Sequence, residues 1–275
     1  MTALASVPGA VLLVGAGKMG GALLESWLTR GLPPALVSVL DPTPAPDVAK
    51  LLASKRIARD PQPQLIPNHV AVVLAVKPQV APSLMPQVAR FVGRDTVVVS
   101  IMAGRTLGFL AKHLPKNTAV VRAMPNTPAA IGRGITVAVP NARVKSSARD
   151  LADALLAATG PVEWIKNEKW MDAVTAVSGS GPAYIFLLVE SLARAGVAAG
   201  LPKPLAMKLA RETVSGSGEL LHRSNLDAAK LRENVTSPGG TTAAALQILM
   251  ARSGLDALMK KAVAAATKRS RQLAG

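Results

Sequence analysis

Apolar positions fall into two patterns along this chain. Up to about residue 165 they come in short runs rich in Val, Leu and Ile, set between turn residues and helical stretches. The runs at 10–14, 36–40, 70–76, 97–101 and 119–122 read as strands, and those at 135–139 and 162–165 as two more. Residues 19–30, a short segment near 48–54, 80–91 and 146–158 read as helices, the first stopped by Gly31 and Pro33. Strands alternating with helices imply parallel strands joined by crossovers. The expected fold is therefore α/β with a doubly wound sheet.

Beyond Glu168 the strand signal stops. Residues 182–199 are apolar nearly all round, with Pro182 well placed at a helix start. Residues 202–221, 226–234, 241–252 and 255–273 also read as helices. The chain is expected to divide into an α/β part, 1–165, and an all-helical part, 166–275. A helix apolar on every face must be buried, so 182–199 calls for a second subunit as well as its own domain.

Composition narrows the class. Of 275 residues, 49% are hydrophobic and 3% aromatic, so the core is built from small and aliphatic side chains and disorder is not expected. There is no Cys, which excludes disulfides, thiolate metal sites and Cys nucleophiles. The first residues lack a basic segment, and the apolar run 9–14 is too short for a signal peptide. No stretch of about 18 uninterrupted apolar residues is present, so no spanning helix is expected. These readings give a cytoplasmic protein with no membrane partner.

A net charge of +16 raises nucleic-acid binding as a class. The basic residues, however, are spread along the chain. The one dense run, Lys268-Arg269-Ser270-Arg271, falls at the end of a helix, where cations suit the dipole. Aromatics for base stacking are scarce. A solvated basic surface with no nucleic-acid partner is the expectation, and its field would draw in anionic ligands.

Four motifs carry chemistry. Gly15-Ala16-Gly17-Lys18-Met19-Gly20 follows a strand and opens a helix, the context that makes this spacing a dinucleotide fingerprint. Gly15 permits the tight turn, and Gly17 lets backbone approach a pyrophosphate held at the helix N-terminus. Asp41 follows at the end of the second strand, 21 residues past Gly20. An acid there bonds the adenosine ribose and favours NADH, although Asp41 also reads as a turn residue before Pro42. No basic residue follows until Lys50, so an obvious clamp for a 2′-phosphate is absent.

Ala75-Val76-Lys77-Pro78 ends the third strand, and Ala103-Gly104 follows the fourth. Ligands of open α/β sheets bind at such strand ends. Asn126, in the stiff loop Arg122-Ala-Met-Pro-Asn-Thr-Pro128, offers donor and acceptor at the same level. Ser178-Gly-Ser-Gly-Pro-Ala-Tyr184 reads equally as a ligand contact and as a tight helix–helix approach. Last comes Ser237-Pro238-Gly239-Gly240-Thr241-Thr242, leading into a helix. Its Gly-Gly backbone and helix N-terminus form a carboxylate cradle, and Thr242 adds a hydroxyl. A plain helix cap by Ser237 or Thr241 is the alternative. The three histidines, His69, His113 and His222, follow no metal spacing, so no metal is expected.

These motifs, in this order, resemble the pyrroline-5-carboxylate reductase family over nearly the whole chain. The resemblance implies an N-terminal Rossmann domain that binds dinucleotide, 1–165, and a helical substrate and dimerisation domain, 166–275. It implies a homodimer, with larger rings such as a decamer, and an active site between domains to which a partner subunit contributes. Gly15–Gly20 and Ala75–Pro78 would line the cofactor, NADPH or NADH. The loop Ser237–Thr242 would hold the substrate carboxylate, with the Thr242 hydroxyl at the ring nitrogen. The segment Asp41-Pro42-Thr43-Pro44 departs from the family, many of whose members prefer NADPH. The implied reaction passes a hydride to the C=N carbon of (S)-1-pyrroline-5-carboxylate, giving L-proline. A protonated imine is already a strong electrophile, which accounts for the absence of a His or Tyr acid.

Three other readings compete. One is a β-hydroxyacid dehydrogenase, which places a catalytic Lys on the helix entering its second domain; residues 182–200 contain no Lys. Another is a reductase of some other cyclic imine. The third, of a different class, is a basic nucleic-acid-binding protein on a Rossmann scaffold.

Overall fold

The computed structural model describes residues 4–63 and 69–273. Two compact units emerge, Met1–Gly179 together with Thr267–Gly275, and Ser180–Ala266. The chain passes from the first unit to the second at 179/180, where the sequence pattern led to an expectation of 165/166.

The first unit is a single eight-stranded sheet. In chain order it runs β1 (Ala10–Val14), α1 (Lys18–Thr29), β2 (Val37–Leu40), α2 (Pro46–Lys55), β3 (Ala58–Arg59), β4 (His69–Leu74), α3 (Ala81–Ala89), β5 (Val97–Ser100), α4 (Leu107–His113), β6 (Ala119–Met124), β7 (Thr136–Pro140), α5 (Ser146–Leu156), β8 (Val162–Trp164) and the one-turn α6 (Met171–Val174). The strand order is β3-β2-β1-β4-β5-β6-β7-β8. Strand order reverses at β1, which pairs with β2 on one side and β4 on the other, both parallel. This is the doubly wound sheet expected.

Two corrections follow. The sheet is not wholly parallel: β6 and β7 are antiparallel, because the short connection over 125–135 leaves no room for a crossover helix. In addition β3 and α4 carry no clear sequence signal. A two-residue strand is too short for a run, and α4 is a seven-residue helix started by Thr106, whose hydroxyl accepts the Phe109 N–H.

The strands read as unbroken apolar runs because both faces are covered. Val11, Leu13, Val39, Val73 and Val99 face one layer with Leu23, Leu24 and Trp27 of α1. Leu12, Val14, Val72, Leu74 and Val98 face the other, with Met85 and Val88 of α3. Trp27 is fully buried, and its indole N–H donates to the Leu155 carbonyl at 2.8 Å, tying α1 to α5.

The second unit holds α7 (Gly181–Ala198), α8 (Lys203–Arg223), α9 (Ala228–Asn234), α10 (Thr241–Leu249) and most of α11 (Leu255–Leu273), which from Thr267 on belongs to the first unit. Small residues bring α7 close to α8: a Cβ added to Gly196 would lie 3.2 Å from that of Ala206. Among the described residues the buried apolar set here is only Ala193, Ala206 and Ala210. Ile185, Phe186, Leu187, Leu188 and Leu192 on α7 are 44–62% exposed. The chain folded alone therefore leaves uncovered the face that the sequence pattern marks for burial.

The helical run Glu168–Ala198 is long and apolar enough to cross a membrane, by length and composition alone. An uninterrupted apolar run of about 18 residues is still absent from it, so only the expectation of no spanning helix is corrected, and only by the average over the helix. Polar residues such as Ser178 and Ser180 break a strict apolar run, but an average over the helix tolerates them.

Candidate cofactor and substrate sites

Sheet register places the loops of the first unit at one level. Val14 of β1 is aligned with Leu40 of β2 and Leu74 of β4, Leu74 with Ser100 of β5, and Ser100 with Arg122 of β6. The ladder runs one residue further: the N–H of Gly15 donates to Leu40, that of Ala75 to Val14 and that of Ile101 to Leu74, at 2.7–3.0 Å. Gly15, Asp41, Ala75 and Ile101 thus leave the sheet together, beside the β1–β4 switch point. In open α/β sheets ligands bind in this crevice.

The glycines of the turn have different reasons. Gly15 has φ +91°, and a Cβ there would sit 2.7 Å from Val76 and 2.9 Å from the Ala75 carbonyl carbon. Gly20 faces back into the turn, where a Cβ would collide with the Gly15 carbonyl oxygen. At Gly17 an added Cβ would meet nothing within 4 Å. Gly17 is the N-cap of α1, and no side chain bonds to that helix start. The first-turn N–H groups have no carbonyl partner inside the helix, so they are available to an anion. Ala16 is buried, and its N–H is held by Asp41.

Two adjacent cavities flank the turn. One, about 530 Å³, is lined by Gly17, Lys18 and Met19 from the turn, and by Ala75, Val76, Lys77 and Pro78 from the β4 exit. Ala103 and Asn126 complete its wall, so nine of the residues singled out from sequence share one space. Met124, Pro125 and Thr127 of the stiff loop and Gly179 of the Ser178–Tyr184 motif also line it, as do Ile101 and Met102, which as ordinary apolar residues gave no separate signal. Asn126 has a second duty, its side-chain oxygen accepting the Ile135 N–H at 2.9 Å. The other cavity, about 540 Å³, is lined by Gly15, Asp41, Thr43, Asp60 and Val76.

Gly104 lies off these walls. It is buried at φ +74°, with a virtual Cβ 3.2 Å from the Leu273 carbonyl oxygen, so its smallness lets the end of α11 approach. Ser270 donates to Asp172 at 2.7 Å in the same corner.

At Asp41 both carboxylate oxygens are engaged, Oδ2 by the Ala16 N–H at 2.7 Å and Oδ1 by the Thr43 N–H at 2.9 Å. The sequence search for a basic neighbour ended at Lys50, yet β3 brings Arg59 to the Asp41 carbonyl at 3.3 Å. Only pairing of β3 beside β2 makes that neighbour visible.

Arg122, within β6, is buried with its guanidinium 2.8 Å from Glu168 Oε1. The same oxygen accepts the Leu107 N–H at 2.8 Å, so one carboxylate fixes the β6 exit and the start of α4. His69 is buried in the sheet, its Nε2 3.3 Å from Ser38 Oγ, and burial lowers its pKa. It faces neither cavity.

In the second unit, Gly239 has φ +70° and the Gly240 N–H donates to the Ser237 carbonyl at 3.0 Å, closing a turn before α10. Gly240 is the N-cap, and no side chain bonds to the helix start. Neither the Ser237 nor the Thr241 hydroxyl caps it. The first-turn N–H groups, Thr241 and Thr242 among them, therefore remain for an external acceptor. Gly181, at the start of α7, has nothing within 4 Å of a virtual Cβ, whereas on Gly179 that atom would collide with the Met124 side chain.

Comparison with known proteins identifies relatives over nearly the whole chain. Residues 168–273 match the family model for pyrroline-5-carboxylate reductase dimerisation. Residues 10–104 match that for NADP oxidoreductase, coenzyme F420-dependent. The chain is 37% identical over 265 residues to pyrroline-5-carboxylate reductase of Pseudomonas aeruginosa, covering 96% of each. It is 41% identical over 286 residues to that of Mycobacterium leprae, again covering 96% of each. A solved pyrroline-5-carboxylate reductase from Coxiella burnetii superposes with TM-score 0.89 at 30% identity, over 98% of this chain and 100% of the other. A Plasmodium falciparum pyrroline carboxylate reductase with NADP bound gives 0.81 at 28% identity, covering 98% and 99%.

Proposed function

The chain belongs to the pyrroline-5-carboxylate reductase family, and on that premise we propose that it reduces (S)-1-pyrroline-5-carboxylate to L-proline with NADH or NADPH. The observation that carries this reading is the single cavity shared by the Gly17–Met19 turn, Ala75–Pro78, Ala103 and Asn126. The residues fit a dinucleotide: Gly17 is open where a pyrophosphate needs close backbone, and α1 begins without a side-chain cap. The bound cofactor supplies the hydride.

The chain's own part is binding and orientation. Gly15–Gly20 hold the pyrophosphate through backbone N–H groups. Lys77 and Asn126 frame the nicotinamide end. The uncapped start of α10, with Ser237, Gly239, Gly240 and Thr241, receives the substrate carboxylate. Thr242 directs its hydroxyl at the ring nitrogen and holds or relays the proton there. Keeping two rings in register supplies about 7–11 kcal/mol of the barrier, which leaves little for an acid or base to do.

This division of labour keeps residues 1–165 as the dinucleotide-binding domain and 166–275 as the substrate and dimerisation domain. The chain forms a homo-oligomer through 168–273, and the exposed α7 face is the surface that a second copy covers. A ring such as a decamer is the proposed assembly, in the cytoplasm, with no nucleic-acid or membrane partner. Light scattering on the purified protein reads its size.

The test follows reduced-cofactor absorbance with pyrroline-5-carboxylate. Thr242→Val should lower kcat about 10²-fold, the lower end for a positioned proton donor. Wild-type turnover in that variant removes the role given to Thr242, and no oxidation of either cofactor by the wild type removes the proposed activity.

A further inference from the structure

Which reduced nicotinamide the enzyme selects is decided at the adenosine end of its site, and the structure puts two acids there. The inference rests on the reading that a dinucleotide lies across the β1–β4 crevice. Asp41 and Asp60 line the same cavity of about 540 Å³, with Gly15 and Thr43.

Asp41 is held by two backbone donors, Ala16 N–H on Oδ2 and Thr43 N–H on Oδ1. An ionised carboxylate offers about four acceptor positions, so about two remain for hydroxyl groups entering the cavity. Asp60 comes from the exit of β3, on the far side of β2. Its Oδ1 accepts the Asp41 N–H at 2.9 Å, which fixes one acid on the other's backbone. Asp60 is invisible to a motif search because it stands 19 residues beyond Asp41.

Arg59 is the obvious rival, being a guanidinium at the same corner. Its Nε and Nη2 are turned onto the protein. Its Nε lies 3.3 Å from Asp60 Oδ2 and 3.3 Å from the Asp41 carbonyl, and its Nη2 donates to the Pro42 carbonyl. The corner thus carries two carboxylates against one guanidinium, which is paired with Asp60 and turned onto the Asp41 and Pro42 carbonyls. Ser83 and Gln87 opposite are neutral. A ribose 2′-hydroxyl can donate to such a corner. A 2′-phosphate brings negative charge and acceptors to acceptors.

We infer that Asp41 and Asp60 act together as the specificity-determining pair that accepts the 2′-hydroxyl of NADH and rejects the 2′-phosphate of NADPH.

Titration of the purified oligomer with NADH and NADPH, read by nicotinamide fluorescence without substrate, gives both Kd values apart from turnover. The wild type should bind NADH about tenfold or more tightly than NADPH, a difference of about 1.4 kcal/mol. Asp60→Asn keeps an acceptor for the Asp41 N–H and suits the φ of +45° at this position. It removes one charge and releases Arg59, so the Kd ratio should move towards NADPH by about tenfold. Asp41→Ser should move it the same way and serves if Asp60→Asn does not fold. Arg59→Met should leave NADH preferred. Tighter NADPH binding by the wild type, an unmoved ratio in the Asp variants, or a selective loss of NADPH binding in Arg59→Met would overturn the inference. Failure of the reductase reading looks different: NADH binds preferentially, yet pyrroline-5-carboxylate does not oxidise it.

Discussion

Gly17 and Gly20 stand three residues apart in one turn, and their surroundings assign them separable jobs. Gly17 has φ −74° and ψ −164°, which alanine adopts without strain, and a Cβ there would meet no atom within 4 Å. Gly→Ala at a compatible position stabilises by about 0.4–1 kcal/mol, through the unfolded chain. Gly17→Ala should therefore melt at or above the wild-type temperature. Its methyl group nonetheless occupies the approach of a pyrophosphate. Displacing one phosphate oxygen by about 1 Å removes a hydrogen bond to a charged group, worth about 1.5–3 kcal/mol. That weakens cofactor binding by about 10- to 150-fold.

Gly20→Ala should do the reverse. Its Cβ strikes the Gly15 carbonyl oxygen and lies 3.2 Å from the Ala75 side chain, and the first of these is backbone that cannot swing aside. Overpacking of this kind costs about 1–3 kcal/mol. In a chain of this size that lowers Tm by about 2–12 °C. Fluorescence titration with NADH and cofactor-free thermal unfolding, at one protein concentration, measure the two effects separately. The reasoning fails if Gly17→Ala binds NADH like the wild type, or if Gly20→Ala melts like it.

Two further outcomes are expected. Glu168→Ala strands the Arg122 guanidinium, whose side chain is 5% exposed; because Glu168 itself is 29% exposed and water can enter, the cost is about 2–3 kcal/mol, at or below the low end for a broken buried pair. Urea unfolding measures it, Glu168→Gln should lose less because an acceptor for Leu107 remains, and a change under about 0.5 kcal/mol in Glu168→Ala would contradict the account. Burial lowers the pKa of His69 below its ordinary 6.5, so His69 binds its proton more readily in the unfolded chain. Its contribution to stability is full above about pH 6.5 and is lost as pH falls towards the depressed folded-state value. The imidazole C2–H resonance of His69 should titrate below 6.5, and a midpoint at or above that value refutes the assignment.

The long elements were legible because their signals are local. The run 10–14 is β1 residue for residue, and 255–273 is α11 likewise. The glycine turn was legible because its spacing and its strand–helix context are both written in consecutive residues. What escaped depends on pairing across distance. The Ala58–Arg59 strand has two residues and no hydrophobic pattern, yet it delivers Arg59 and Asp60 to Asp41. The antiparallel turn-back of β7 escaped for the same reason, since an apolar run does not encode direction. Arg122 and Glu168 are 46 residues apart and meet only once the sheet is built. Gly104 was read as a ligand contact at a strand end, whereas its small size serves the approach of Leu273, 169 residues away.

The common level at which the strands end also shapes how this sequence tolerates change. Within the sheet, Val11–Val14 of β1 are locked by strands on two sides and packed on two faces, so exchange there disturbs the whole interior. One step beyond Val14, Leu40 and Leu74, side chains answer to whatever occupies the crevice. A lineage can therefore rewrite its choice of coenzyme at two or three loop positions while the scaffold beneath stays as it is.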